Sequence, residues 1–332
     1  MNPAMLREPA ARVVRAARRR LRGTLRSADR RAGRERKSSR DTEKLASLAA
    51  RAEEERREQF AVTASQFTPY AAREYDGALF FVGMESTFGR KLFARRQWRD
   101  DHQLDRTLRA LKLADLQLVR TTFVDIGAHV GTSTIQALRR YGFTSALAFE
   151  PEPENFRILR ANLAANGLDE RVRVFNVALS NRVGSSALEV RDRGSGEHKL
   201  VRDGEQVANA IRVPLTTFDT LAKEGAVDPD EAGLVWIDVE GSEIDVLEGA
   251  RTLLERSLPM VIEFVWRRYR EEPGRLESLI DLLTPSHTHF FSVKPKFRSD
   301  RVFEPLSAIH ALPRRNERAN LLVVRLAKSS VG

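Results

Sequence analysis

The chain contains no cysteine. That absence excludes a disulfide framework, a cysteine nucleophile and a thiolate-bound metal. No apolar run reaches the length of a membrane-spanning helix, so none is expected. No uninterrupted apolar stretch follows the basic N-terminus, so a cleaved secretory leader is not expected either. Internal repeats are absent. The chain also lacks an even spread of charge. Residues 1–60 hold 18 of the 56 basic residues and 9 of the 46 acidic ones, a net of +9, which leaves the rest of the chain at +1. A body so nearly neutral argues against a nucleic-acid surface extending over it.

What is present is enough apolar material for a core, 42% of 332 residues. Three stretches are expected: an N-terminal extension over 1–70, a lead-in strand and helix over 71–120, and the main domain over 121–328. In the extension, Val13, Val14, Ala17, Leu21 and Leu25 recur near helical spacing among arginines. A basic amphipathic helix is one reading and a solvated tail another, with weak contact to anionic lipid or nucleic acid as the partners such an arm would favour. The expected location is the cytoplasm, with the arm able to hold the body at a membrane surface. Leu45, Leu48, Ala49 and Ala52 continue the helical spacing up to a break at Thr68-Pro69-Tyr70. Leu79–Val82 reads as a short strand, and Trp98–Leu118 as a helix.

From residue 121 strands and helices alternate. Strands are expected at 122–126, 146–149, 172–175, 186–190, 209–213, 234–237, 260–262, 289–293 and 321–324. Helices are expected at 132–141, 153–166, 217–223, 243–256 and 275–283. This pattern predicts an α/β fold, a doubly wound, Rossmann-like and mostly parallel sheet with a helical N-terminal extension. Ligands of such sheets sit outside the carboxyl ends of the strands. Asp125, Glu150, Asn176, Asp238 and Glu263 are each expected at such an end.

The central stretch is Asp125-Ile126-Gly127-Ala128-His129-Val130-Gly131, a strand turning through glycine into a helix. Glu150 falls 25 positions after Asp125, at the end of the next strand, where an acid accepts hydrogen bonds from ribose hydroxyls. The G-x-G-x-x-G fingerprint of dinucleotide binders is missing, and with it the turn that approaches a pyrophosphate. An acid just before the glycine turn suits a cationic amino group instead. S-adenosyl-L-methionine (SAM), with an ammonium, a sulfonium and a ribose but no phosphate, matches those features.

Four motifs occur in order: Asp125–Gly131, Phe149-Glu150-Pro151, Val177-Ala178-Leu179-Ser180 and Ile237-Asp238-Val239-Glu240-Gly241-Ser242-Glu243. Over about residues 120–325 the chain resembles the FkbM family of SAM-dependent methyltransferases. The resemblance implies a class I methyltransferase fold, SAM as cofactor, and O-methylation of a hydroxyl on a sugar, glycan or natural product. Carried over by motif, Asp125, Gly127, Ala128, His129 and Gly131 hold the methionine end of SAM, and Glu150 holds the ribose. Asn176, Val177 and Ala178 border the adenine. His129 stands where the family commonly has Asn, and both can donate a hydrogen bond.

A neutral hydroxyl is a poor nucleophile and benefits from a general base. Asp238 ends the strand nearest the expected methyl and ranks first. Glu240 is second, with capping of the helix that starts near Ser242 as its alternative role. Glu263 is a candidate for substrate hydroxyls and His198 a further candidate base. His287 and His289 read as strand-edge residues. Asp238, Glu240 and Glu263 could together hold a divalent cation, but the spacing demands none and no metal is assigned. Asp238-Val239-Glu240-Gly241 is unlike the [DN]-P-P-[YF] turn of amino-methylating DNA enzymes, and the lack of cysteine excludes carbon methylation of pyrimidines. The alternatives are an RNA methyltransferase using the basic arm, a non-catalytic SAM-binding or scaffold protein, and a nicotinamide dehydrogenase.

Overall fold

A computed structural model of the chain describes residues 41–94, 101–190, 198–201, 205, 207–293, 303–312 and 318–326. The arm at 1–40, with its expected amphipathic helix, lies outside them. So do Trp98 and most of the polar loop between 190 and 207. The chain divides into two units, Met1–Arg57 and Glu58–Gly332. The described residues of the first are helical, part of α1 over 41–64.

The second unit begins with a hairpin, β1 (Tyr70–Tyr75) against β2 (Ala78–Gly83). Its two-residue turn, Asp76-Gly77, has φ of 48° and 74°, the left-handed pair that matches the twist of a tight hairpin. β1 goes beyond the sequence expectation, whose first strand is β2. Helices α2 (Thr87–Ala94) and α3 (Asp101–Leu113) follow.

The main sheet is laid down by β3 (Thr122–Ile126), α4 (Thr132–Arg140), β4 (Ser145–Phe149), α5 (Pro153–Ala165) and β5 (Val172–Phe175). After an intervening segment come α6 (Phe218–Lys223), β10 (Ala232–Ile237), α7 (Glu243–Glu248), α8 (Arg251–Glu255), β11 (Met260–Val265), α9 (Trp266–Glu271) and α10 (Arg275–Leu283). β12 (His289–Ser292), β13 (Glu304–Pro305) and β14 (Arg318–Val324) end it. The eight strands lie in the order β13-β12-β14-β11-β10-β3-β4-β5. β3, β4, β5, β10 and β11 run parallel, and β14 runs antiparallel between β11 and β12. The chain steps outward from β3 through β4 to β5, then returns on the other side of β3 as β10. The order reverses between β3 and β10, which leaves a crevice outside their carboxyl ends.

Burial follows from the apolar runs. Every residue of β3 and β10 is buried, as continuous apolar strands require when helices cover both faces. Alternate residues serve opposite faces. Val124, Ile126, Val235 and Ile237 join one core with Leu247 and Leu279, while Phe123, Leu234 and Trp236 join the other with Ile135 and Leu159.

The segment between β5 and α6 departs from expectation. The strands expected at 186–190 and 209–213 form β7 (Gly184–Glu189) and β9 (Ala210–Thr216), together with two-residue strands β6 (Ala178–Leu179) and β8 (Lys199–Leu200). They make a separate four-stranded sheet, β6-β9-β7-β8. The expected helix 243–256 is broken into α7 and α8 at Gly249-Ala250. Gly249 lies so close to the carbonyl oxygen of Ser180 that a β-carbon there would stand 2.0 Å from it. Among the described residues, no helix is long and apolar enough to cross a membrane.

Candidate active site

The turn after β3 packs three left-handed residues into five positions. Gly127 and Gly131 both have φ of +88° and His129 +52°. Among non-glycine residues, Asn, Asp and His enter this region most readily, which accounts for a histidine where asparagine is common. Gly127 N and Ala128 N both donate to the carbonyl of Phe149, at 3.0 and 2.9 Å, fastening the turn to the end of β4. Ala128 itself is buried in the core. The His129 ring meets Phe88 edge-on, with centroids 4.4 Å apart.

Glu150 follows the last residue of β4 and is buried. Its Oε2 accepts from His129 N at 2.8 Å and its Oε1 from Glu152 N at 2.8 Å. Desolvation outweighs these bonds and pushes its pKa up to about 8. Glu152 in turn caps α5, accepting from Asn155 N at 2.6 Å, the usual way to satisfy a free helix N–H.

One cavity lies over these strand ends, with about 580 Å³ of open space including its mouth. Of the residues singled out from sequence, it brings together Gly127, His129, Glu150, Val177 and Ala178 with Asp238, Glu240 and His198. Phe149, Leu179 and Leu188 add apolar wall, and Ser242 and Asn155 add polar groups that sequence reasoning did not select.

Five selected residues do not line this cavity: Ala128, buried in the core, and four others. Asp125 is buried in β3 one residue before its end, and its carboxylate accepts from the hydroxyl of Thr134 in the first turn of α4. Burial raises its pKa to about 7. Asn176 donates through Nδ2 to the carbonyls of Glu150 and Pro151, at 2.8 and 3.1 Å. Gly131 is the N-cap of α4, with Leu159 Cδ1 2.7 Å from where its β-carbon would be. Glu263, expected at a strand end, is inside β11, opposite Asn320 of β14, and 1% exposed.

The acids of this region are neutralised by two arginines that the sequence did not single out. Carboxylate oxygens of Asp238, Glu240 and Glu263 lie within 4.8 Å of one another. From β14, Arg318 Nη2 reaches both Glu240 oxygens at 2.6 Å, and its Nε lies 2.7 Å from Glu263 Oε1. From α9, Arg268 donates to Glu240, reaches Glu263 Oε2 at 3.0 Å and lies 3.6 Å from Glu243. Glu263 is raised to about 7, first by burial and then by the Glu240 charge, with both arginines opposing. The N-cap of α7 is Ser242, with no side-chain cap bond, and Glu243 Oε1 accepts from Gly241 N at 2.8 Å just before it. Glu240 itself has φ of +52°. Arg268 lies in an arginine-rich run, 267–270, and Arg318 opens an apolar strand. Those were the only local signals, and neither specifies a partner.

Residues 125–292 match the methyltransferase FkbM domain. The 2-O-methyltransferase NoeI of Sinorhizobium fredii is 27% identical over 177 residues, covering 48% of this chain and 70% of NoeI. Methyltransferase sdnD of Sordaria araneosa is 28% identical over 152 residues, covering 38% of this chain and 59% of sdnD. Among solved structures, M. jannaschii TYW2 in complex with AdoMet aligns with a TM-score of 0.38 at 13% identity, over 77% of this chain and 85% of that one.

Proposed function

Because the chain belongs to the FkbM family of SAM-dependent methyltransferases, we propose that it methylates a hydroxyl oxygen of a saccharide or natural product, with Asp238 as general base. The observation that carries this reading is the cavity at the reversal of strand order. Gly127, Glu150 and Asp238 all line it. The name of NoeI, a 2-O-methyltransferase, supports a hydroxyl acceptor.

The residues present suit the cofactor. Glu150 is held by two backbone donors and the Asn155 side chain, and its remaining lone-pair capacity suits a ribose hydroxyl. Val177, Ala178, Leu179 and Leu188 offer an apolar slot for a base. Gly127 keeps the turn free of a side chain. Asp125 and Asn176 act one layer back. Asp125 ties the first turn of α4 to β3, and Asn176 clips the Glu150–Pro151 backbone in place. SAM supplies a methyl group already activated by its sulfonium, so the protein's main task is alignment.

Asp238 takes the hydroxyl proton on a carboxylate oxygen as the acceptor attacks. Glu240 is a poorer base, since both its oxygens are committed to Arg268 and Arg318. Asp238 itself is among the charges that keep Arg318 protonated, which ties the base to the same network. The test pairs calorimetry of SAM binding with mass spectrometry of saccharide and metabolite extracts incubated with SAM and protein. Asp238→Asn is expected to bind SAM and add no CH₂ to any component. Product at the wild-type rate would place the base elsewhere.

A further inference from the structure

The hairpin β1–β2 and helix α2 lie outside residues 125–292, the stretch that matches the family's domain, yet they are fastened to the glycine turn after β3. We propose that Asn162 is a positioning residue for that turn: its side-chain amide couples the outer edge of the hairpin to the Val130 carbonyl, so that SAM binding and docking of the hairpin stabilise each other. The proposal rests on the reading of Gly127–Gly131 as the cofactor turn.

A two-stranded sheet leaves a row of backbone groups unpaired along each outer edge. β2 pairs with β1 on one side. Along its other side, two asparagines of α5 take the place of a third strand. They stand four residues apart and so share one helix face. Asn162 Oδ1 accepts from Phe81 N at 2.6 Å, and its Nδ2 donates to Phe81 O at 3.2 Å. Asn166 does the same with Leu79, at 3.0 and 2.7 Å. Each amide offers one donor and one acceptor to a strand residue, as a peptide group would.

The two asparagines differ in the other bond that Nδ2 makes. Asn166 donates to Asn162 O, within its own helix, at 2.7 Å. Asn162 donates to Val130 O, inside the glycine turn, at 2.8 Å. Asn162 is 0% exposed, so water cannot replace that bond, and losing it leaves buried polar groups unsatisfied. The turn is met again at the neighbouring residue, where Phe88 of α2 lies edge-on to the His129 ring. α2 is itself held to the end of β2, since a β-carbon on Gly89 would stand 1.9 Å from Gly83 O. At the tip of the hairpin, Arg139 Nη2 of α4 donates to Gly77 O at 2.8 Å. Whatever orders the turn therefore orders the hairpin, and by linkage the reverse holds.

The test compares Asn162→Asp with Asn166→Asp in the full-length protein. Each keeps the size of the side chain and puts an oxygen against two carbonyls, so both are expected to lower the denaturation midpoint. Asn162→Asp alone is expected to weaken SAM in calorimetry, by about tenfold for the loss of one buried hydrogen bond. SAM affinity unchanged in Asn162→Asp, or lowered equally in both variants, would overturn the proposal. Hydrogen exchange on the wild type, read by mass spectrometry with and without S-adenosylhomocysteine, decides the matter should a variant fail to fold. The ligand is expected to slow exchange in residues 78–83 as well as in 127–131. Slowing confined to 127–131 would overturn the coupling. SAM bound with neither segment slowed would place the cofactor away from the glycine turn, and both that reading and this proposal would fall.

Discussion

A β-carbon on residue 127 would stand 2.0 Å from the carbonyl oxygen of Asp238. The glycine turn after β3 and the acidic turn after β10 are therefore in backbone contact, and the proposed cofactor and base sides of the cavity meet at one close approach. Gly127→Ala must push the two strand ends apart as well as strain a φ of +88°. The expected cost is about 2–4 kcal/mol in chemical denaturation, with loss of SAM binding in calorimetry. Gly131→Ala is the control. Its β-carbon would meet only the flexible tip of Leu159, so a smaller cost of about 1–2 kcal/mol is expected. Equal effects from the two would contradict the contact's importance.

Asp238→Asn and Glu240→Gln should separate chemistry from architecture. The first removes the proposed base while keeping its shape, and is expected to lower kcat by about 10²–10⁴ with SAM affinity retained. The second weakens the bonds to Arg268 and Arg318, so its main effect is expected on the denaturation midpoint. A reversed pattern, with Glu240→Gln silencing turnover in a fully stable protein, would move the base to Glu240.

SAM affinity is expected to depend on pH through Glu150. Burial lifts its carboxyl from 4.5 to about 8, so near neutrality the ligand-free fold holds a proton there. Ribose hydroxyls are best accepted by the ionised form, so binding releases that proton. Below about pH 8 affinity should rise with pH, up to tenfold per unit for one linked proton. The folding sign is opposite. The native state binds the proton more tightly than the unfolded chain, so this group's contribution to stability is full below about pH 4 and lost as pH rises through about 8. Melting curves with and without SAM should diverge as pH increases. A SAM-induced shift independent of pH would contradict this.

Arg268→Met tests the buried ion network. It leaves Glu263 and Glu243, each 1% exposed, with less opposing charge. The expected destabilisation is about 3–5 kcal/mol near neutrality. Both glutamates are already raised by burial, and removing the guanidinium raises them further. The penalty should therefore shrink as pH falls and they protonate. Denaturation at acid and at neutral pH measures the difference.

The central strands were legible because they are continuous apolar runs bounded by glycine or acid. Glu150 and Asp238 were legible as cavity-lining residues because each directly follows an apolar strand. β1 was not, since Tyr70-Ala71-Ala72-Arg73-Glu74-Tyr75 lacks an apolar run and is held by pairing with β2. Asp125 was read correctly as a strand residue, but nothing local says that its carboxylate turns to Thr134 and away from the cavity. Glu263 looked like a strand end because it is charged. Two arginines, at 268 and 318, let the strand continue past it. Those partners are distant in sequence from Glu240, and no local pattern encodes a pairing over that separation.

Among the described residues, the four-stranded sheet shares no ladder with the eight-stranded one, although Leu179, Leu188 and Leu200 of its strands line the cavity. A substitution at Leu188 is therefore expected to reshape the cavity wall while leaving the pairing of β3, β4 and β10 as it is.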